Sequence, residues 1–590
     1  MITNKINKLG LSLSTLCCLC ALCVSCSDFL EIKSREEILL EDFWVEKTDV
    51  DNIVAGCYSG LQSDNVISRM IVWGEARSEN MMVGEHDPVD GNLQNILKEN
   101  IKTKNAYTTW DGFYSVINRC NTVLKYAPGV AERDPGYTQS ELKATIAEMS
   151  ALRDLCYFYL IRAFRNVPYS TVAYTDDDQV MDLPPSQFYD VLDSLILDLE
   201  KVQSYALTRY PETKPEYQTG RITKCAIWAM LCEMYLWKQD YDNCIKYADL
   251  VIEDKKNYVK ERRGQGQANQ SSYGNTDSRF NGYPLIDCRN GAYEAIFIDG
   301  NSQETIFELP FDKADPGYSR LGNSAVGRLY GSSDYTSFIK PSNTVAEDGS
   351  KSSQRVIYAD RNKSFDSRIY WNANGDNNYG SISKYAYQMV TISGSSSITG
   401  ISHGLYSYAK VNNVDHFSNS SPWIIYRLTD IMLLKAEALS QKLREGTDQA
   451  VLEYNAPLLA EAFSLVNAVN KRALYQVTLT DTLLASAYST KSLMEDLVMQ
   501  ERHRELMFEG KRWFDIVRRC LREGNTNAAC NAVARRSGLN AQYVLNTLRS
   551  PLIGMWAIFL PYNDEETKVN LNLAANQNPA FDSGESSISK

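Results

Sequence analysis

The sequence predicts a mainly α-helical protein, built from paired helices and interrupted by a loop-rich, partly β central insertion. Three observations predict it. Apolar residues recur at three- and four-residue spacing over most of the first 254 residues and again after Pro422. Short turns separate several of these helical stretches, as helical hairpins require. Between about Lys255 and Ser421 the composition changes to Gly, Ser, Asn, Asp and Tyr, with only short strand-like pieces.

The N-terminus reads as an export signal. Lys5 and Lys8 precede an apolar stretch from Leu9 to Val24, and small Ser25 precedes Cys26. About 16 residues is short for a membrane span, and polar Ser27 and Asp28 follow at once. Cys17, Cys18, Cys20 and Cys23 lack a comparable small-residue cleavage context, which makes Cys26 the expected lipidation site. Acyl chains contribute roughly 0.8 kcal/mol per buried methylene, so two or three would tether the mature protein to a bilayer almost permanently. The expected organisation is a signal peptide over 1–25, a lipidated tether over 26–35 and an N-terminal helical region over 36–254. A loop-rich ligand-binding region over 255–421 and a C-terminal helical region over 422–590 complete it.

Removing 25 of the 590 residues takes out two lysines and no acid, moving the formal charge from −12 to −14. Such a surface is a poor partner for nucleic acid or anionic lipid. Nine cysteines besides Cys26 remain, an odd number with no Cys-x-x-Cys among them. Those within helical patterns, such as Cys156, Cys225, Cys232 and Cys244, read as small buried residues. Four histidines far apart in sequence make a zinc site unlikely, and no metal ligand is assigned.

Helices are expected over Glu36 to Leu61, around Trp110 to Leu124, and over Glu141 to Phe164, Ser186 to Ser204, Lys224 to Lys238 and Tyr241 to Ile252. The last two form the clearest unit. Trp228-x-x-Leu231-Cys232-x-x-Tyr235 resembles the first helix of a tetratricopeptide repeat, with small Cys232 allowing close approach and Gln239-Asp240 turning the chain. Ala248 stands where that repeat usually has a bulky aromatic. Arg427 to Leu443 and Glu461 to Ala473 look like a further hairpin. In the central region, Ala295 to Asp299 and Thr305 to Pro310 read as strands.

Catalytic motifs are not found: there is no Gly-x-Ser-x-Gly, no phosphate-binding Gly-x-x-x-x-Gly-Lys and no Gly-x-Gly-x-x-Gly. Paired carboxylates distant in sequence would escape such a search. Asn372, Asn374, Asp376 and Asn378 alternate like a calcium loop, but Ser383 stands at the closing position. A turn is the expected reading, with calcium as the possible alternative cofactor and no other cofactor implied.

The run from Glu501 to Asp515, ERHRELMFEGKRWFD, resembles the C-terminal signature of SusD/RagB-like outer-membrane lipoproteins. Similar correspondence extends over Cys26 to Glu31, Ala151 to Phe158, Phe164 to Pro168, Arg427 to Ala438, Leu560-Pro561 and Gln577 to Pro579. His503 departs from the usual Arg, and Ala580 from the Gly that often follows Pro. Within the signature, Arg502, Arg504 and Arg512 lie among Glu501, Glu505, Glu509 and Asp515, which suits scaffold ion pairing. Gly510 reads as a bend between two helices.

The resemblance implies a non-catalytic cell-surface lipoprotein of the outer membrane. It would capture glycans, or peptides in some members, and deliver them to a SusC-like TonB-dependent transporter. Helical repeats would face the transporter and loops would carry the ligand site. A helical-toroid glycosidase and a purely protein-binding repeat scaffold are the competing expectations.

Sugar sites pair flat aromatic faces with planar amide, carboxylate or guanidinium groups. The central region offers Tyr273, Tyr283, Tyr335, Phe338, Tyr370, Trp371, Tyr379, Tyr406 and Tyr408. Tyr335, Trp371 and Tyr379 are selected as ligand contacts, although Trp371 follows Phe365-Asp366-Ser367-Arg368, which looks like a family core motif. Arg77 and Asn80 are added because Trp73 to Asn80 resembles the segment that approaches the family's binding face. Two or three rings burying on the order of 100 Å² each would give roughly 2.5 kcal/mol apiece. After binding costs, micromolar to millimolar affinity is expected.

Overall fold

The computed structural model describes residues 43–264, 280–311, 322–331, 337–342, 366–374, 381–385, 420–474, 483–536 and 541–581, apart from positions 85, 87 and 177. It also describes Val345 and the short stretches 388–391, 396–398, 401–403 and 406–409. Cys26, Tyr335 and Tyr379 lie outside the described residues.

The N-terminal half begins with α1 (Lys47–Leu61) and α2 (Asp64–Ile71), followed by α3 (Asp111–Arg133) and α4 (Gln139–Phe164). Ser63 caps α2 by accepting from the Val66 N–H. Thr138 and Glu141 form a capping box that starts α4. From Ala147 to Phe164 every residue of α4 is buried, which makes this helix central to the core. Its charged residues are paired rather than exposed: Arg162 meets Glu233 at 2.8 Å, and Arg153 meets Asp154 at 3.3 Å and also Asp198.

Next come α5 (Phe188–Val202), α6 (Lys224–Lys238) and α7 (Tyr241–Gly264). The α6–α7 hairpin is the tetratricopeptide-like pair, and its ends follow from local chemistry. Thr223 caps α6 by accepting from the Ala226 N–H, and Gln239 adopts a left-handed conformation (φ 64°) that turns the chain. Cys232 and Cys244 are buried with their Sγ atoms 3.7 Å apart, so small residues do set the close approach. The second helix is twice the length expected from its apolar pattern, because polar residues after Ile252 continue the helix along the surface.

The C-terminal helices are α8 (Leu428–Gln441), α9 (Gln449–Ala473), α10 (Lys491–Leu506) and α11 (Arg512–Glu523). Met432, Leu433 and Leu439 of α8 pack with Val466 and Val469 of α9 and Leu497 and Val498 of α10 in a second apolar cluster. Helix α8 also packs on α7, continuing the helical array.

Four short strands position the site: β1 (Met81–Val83), β2 (Thr305–Leu309), β3 (Ile339–Pro341) and β4 (Trp423–Arg427). β4 runs antiparallel to β2, with Trp423 opposite Leu309 and Ile424 opposite Glu308. Both are fully buried, as β-branched and aromatic runs buried on two faces should be. Two sequence expectations change here. The chain after Pro422 forms strand β4 before helix resumes, because Trp423 to Tyr426 pairs with β2. Ala295 to Asp299, expected as a strand, instead falls largely in a helix, Ala292–Phe297, started from Gly291 in a left-handed conformation.

Candidate functional site

The signature block is a buried ion-pair lattice. Arg427 contacts Glu505 at 2.6 Å and Glu509 at 2.7 Å, and Lys384 contacts Glu509 at 2.8 Å. Arg368 joins Asp366 and Glu501, each at 2.7 Å, while Arg472 joins Glu304 at 3.2 Å and Glu505. Arg502 bridges Asp430 and Asp515 at 2.9 and 2.8 Å. The lattice fastens the central segment around Asp366 to Lys384 onto β4 and α10. Burial alone would raise the Glu505 and Glu509 carboxyls, but Arg472 and Arg427 around Glu505, and Arg427 and Lys384 around Glu509, outweigh it and hold both low. Carboxylates held ionised in this way are scaffold groups, not proton donors near neutrality.

The segment from Trp73 to Asn80 belongs to the same interior. Glu75 accepts from the Phe508 N–H at 3.0 Å and from the Lys511 and Arg512 N–H groups at 3.1 and 3.3 Å, capping the start of α11. Burial raises the Glu75 carboxyl above the ordinary range, against these hydrogen bonds.

Arg77 and Asn80, expected as ligand contacts, both lie in this interior. Arg77 is 3 % exposed, pairs with Glu99 at 2.8 Å, donates to the Ala557 and Ile558 carbonyls and stacks 4.5 Å from the Trp513 ring. Asn80 donates to Glu75 at 2.7 Å, and its Oδ1 lies 2.6 Å from His503 Nε2. Burial, reinforced by the Arg512 cation, lowers His503 to about 3, so the residue replacing the usual Arg is a neutral imidazole at neutral pH. Trp371 is likewise interior, 2 % exposed between Tyr293 and Arg472. These three residues, expected as ligand contacts, are thus placed in the interior, Arg77 and Asn80 with their polar groups bonded to protein partners.

Of the calcium-like alternation, Asp376 and Asn378 lie outside the described residues. Asn372 ends a short helix, Arg368–Asn372, and donates to the Arg504 carbonyl at 2.8 Å, pointing inward rather than into a loop. Its carbonyl accepts from the Ser383 N–H at 3.0 Å, which pairs two residues that a calcium loop would use as ligands.

Around the β1–β3 pair a different set of side chains converges. β1 pairs antiparallel with β3, placing Met81 opposite Pro341 and Val83 opposite Ile339. The pairing continues outward, with the Gly84 N–H donating to the Phe338 carbonyl at 2.8 Å and the His86 N–H to the Ser337 carbonyl at 3.3 Å. A Cβ on Gly84 would stand 2.1 Å from the Ser337 oxygen, so only glycine permits this approach. As a result His86 and Phe338 stack, with centroids 4.0 Å apart and planes 19° apart. Both are half-buried.

Polar groups border this aromatic ledge. The Arg328 guanidinium lies 5.7 Å from the Phe338 centroid and donates to Asp64 at 2.8 Å and to the Tyr107 hydroxyl at 3.2 Å. That hydroxyl in turn donates to Asp90 at 2.7 Å. Burial, partly offset by Arg328, raises the Tyr107 phenol to about 12. A half-exposed ring pair beside a guanidinium and two carboxylates can stack on the C–H face of a sugar and bond to its hydroxyls. Tyr335 lies outside the described residues, in the sequence between Gly331 and Ser337.

Phe338 was among the sequence candidates; His86, Arg328 and Asp90 were not. Only the β1–β3 register brings residues some 250 positions apart together, and a three-residue strand carries too little periodicity to reveal it.

The SusD family model matches residues 251–581, and a second, described as "Starch-binding associating with outer membrane", matches residues 28–236. SusD-like protein P38 from Formosa agariphila is 24% identical over 544 residues, covering 88% of this chain and 92% of that protein. A solved structure of a laminarin binding SusD-like protein superposes with a TM-score of 0.60 at 18% identity, covering 91% of this chain and 99% of that one. A SusD superfamily protein from Bacteroides vulgatus gives 0.60 at 15% identity, over 90% and 98%. The helical scaffold and the family match over most of the chain lead to one conclusion: this protein belongs to the SusD family.

Proposed function

We propose that the protein captures glycans on the ledge formed by His86 and Phe338 and delivers them to a SusC-like TonB-dependent transporter, while tethered to the outer membrane through lipidated Cys26. The observation that carries the site is the half-buried ring stack with Arg328, Asp64 and Asp90 around it. Family membership supports glycan as the cargo, and a laminarin binding relative of the same fold makes β-glucans the first candidates to test. Tyr335 and Tyr379 are retained as additional proposed contacts. The N-terminal export segment supports the tether, and among the described residues no helix is long and apolar enough to cross a membrane.

The proposed role is capture, without catalysis. Two rings burying about 100 Å² each would supply about 5 kcal/mol before binding costs, which corresponds to weak, releasable binding. A glycan array on the chain beginning at Ser27, followed by titration of hits against Phe338→Ala, tests the site. Release of reducing ends from any bound glycan would favour a glycosidase instead. Recovery of a Cys26→Ala variant in the membrane fraction would contradict the tether.

A further inference from the structure

A second concavity lies away from the ion-pair lattice. It is a cleft of about 430 Å³ between α3, α4, the 168–183 segment and two short C-terminal helices, Asp564–Val569 and Leu571–Ala574. That volume is in the range of small-molecule sites. Buried Trp110 and Tyr157 line it together with half-buried Tyr114 and Tyr174. Its roof is pinned by Asn570, which donates to the Leu183 carbonyl at 2.8 Å, and by Asn572, which donates to the Asp182 carbonyl at 2.6 Å.

The polar atoms of these walls are already used. Tyr114 donates to the Pro168 carbonyl at 2.6 Å and Tyr157 to the Ser170 carbonyl at 2.8 Å. Asn118 exchanges hydrogen bonds with the Tyr174 backbone at 2.7 and 2.8 Å. The walls therefore offer ring surface but few donors or acceptors. A sugar entering here would lose water from its hydroxyls without replacement.

Among the described lining residues Glu566 is the one carboxylate, and none is Lys, Arg or His. Among the described residues Glu566 makes no ion pair. The Trp110 side chain beside it favours its charged form, while Asp111 adds a second negative charge nearby. Burial raises its carboxyl above the ordinary range, with Asp111 pushing the same way. Rings rich in π-electron density around a carboxylate without a cationic partner form the chemistry that recognises a positive charge on an apolar body.

We propose that this cleft is a binding site for a small organic cation, an ammonium group carried on an apolar or methylated body, with Glu566 supplying the counter-charge and Trp110, Tyr114 and Tyr174 the ring surface. Met181, 57 % exposed, stands in the lining and marks the way in.

Choline and its uncharged carbon isostere 3,3-dimethylbutan-1-ol are suitable probes, titrated by ligand-observed NMR against the chain beginning at Ser27. Choline is expected to saturate at millimolar concentration, with the isostere at least about tenfold weaker. Glu566→Gln is expected to weaken choline about tenfold while leaving the isostere unchanged. Equal binding of the two probes, no effect of Glu566→Gln on choline, or no choline saturation by about 50 mM would each overturn the proposal. Met181→Trp, a change at an exposed position, provides a check independent of the carboxylate: it should impede choline, and unimpeded choline binding would place the site elsewhere.

Discussion

Gly74 and Gly510 meet backbone to backbone: a Cβ on Gly74 would stand 1.8 Å from the Gly510 carbonyl oxygen. Gly510 itself has φ 69°, and a Cβ there would lie 2.8 Å from the Met70 oxygen. The contact brings α11 to Glu75, whose carboxylate caps it, and locks the N-terminal segment to the signature block. Neither glycine can be replaced without moving backbone.

Gly74→Ala should therefore destabilise the protein by more than about 2 kcal/mol, since the obstructing atoms are main chain and cannot swing aside. Denaturant unfolding of the variant beside wild type measures this. A loss below about 0.5 kcal/mol would show that the two segments separate easily.

Removing one partner from the lattice should be more costly than its surface counterparts suggest. Arg427→Ala leaves Glu505 and Glu509 buried with less compensation, and losses of about 3–5 kcal/mol are expected. The carboxyls of Glu505 and Glu509 are lowered in the folded state. Their contribution is thus fully present above the ordinary glutamate range near pH 4.5 and is lost as pH falls below it. Unfolding free energies from pH 6 down to about pH 3 should decline more steeply for wild type than for Arg427→Ala.

Glu308 has the opposite sign. Burial raises its carboxyl to about 7, against hydrogen bonds from the Asn301 N–H and the Thr219 hydroxyl. The unfolded chain ionises first as pH rises from about 4.5 to 7, so this residue removes up to about 3 kcal/mol of stability over that window. Glu308→Gln should not show that loss. Stability profiles of the two proteins should diverge between these pH values, and parallel profiles would contradict the assigned burial effect.

The helices were legible in the sequence because their apolar spacing is long and regular: α6 spans Lys224–Lys238 as expected, and α4 begins within two residues of its expected start. The signature block was also read correctly as ion pairing, since alternating Arg and Glu beside apolar residues has few other uses. Arg77, Asn80 and Trp371, expected at a ligand, are buried. A residue type suited to a ligand is equally suited to an interior network, and only the fold shows which partner reaches it first. His86 was invisible because its role depends on stacking against Phe338 across the β1–β3 register.

The most direct measurement is calorimetric titration of the chain beginning at Ser27 with a panel of oligosaccharides, repeated with His86→Ala and Phe338→Ala. Glycan capture on the ledge predicts micromolar to millimolar binding of at least one oligosaccharide, weakened about tenfold or more by either substitution while thermal stability changes little. Binding that both variants retain at full strength would contradict the assigned site, and failure of every oligosaccharide to bind would contradict the cargo.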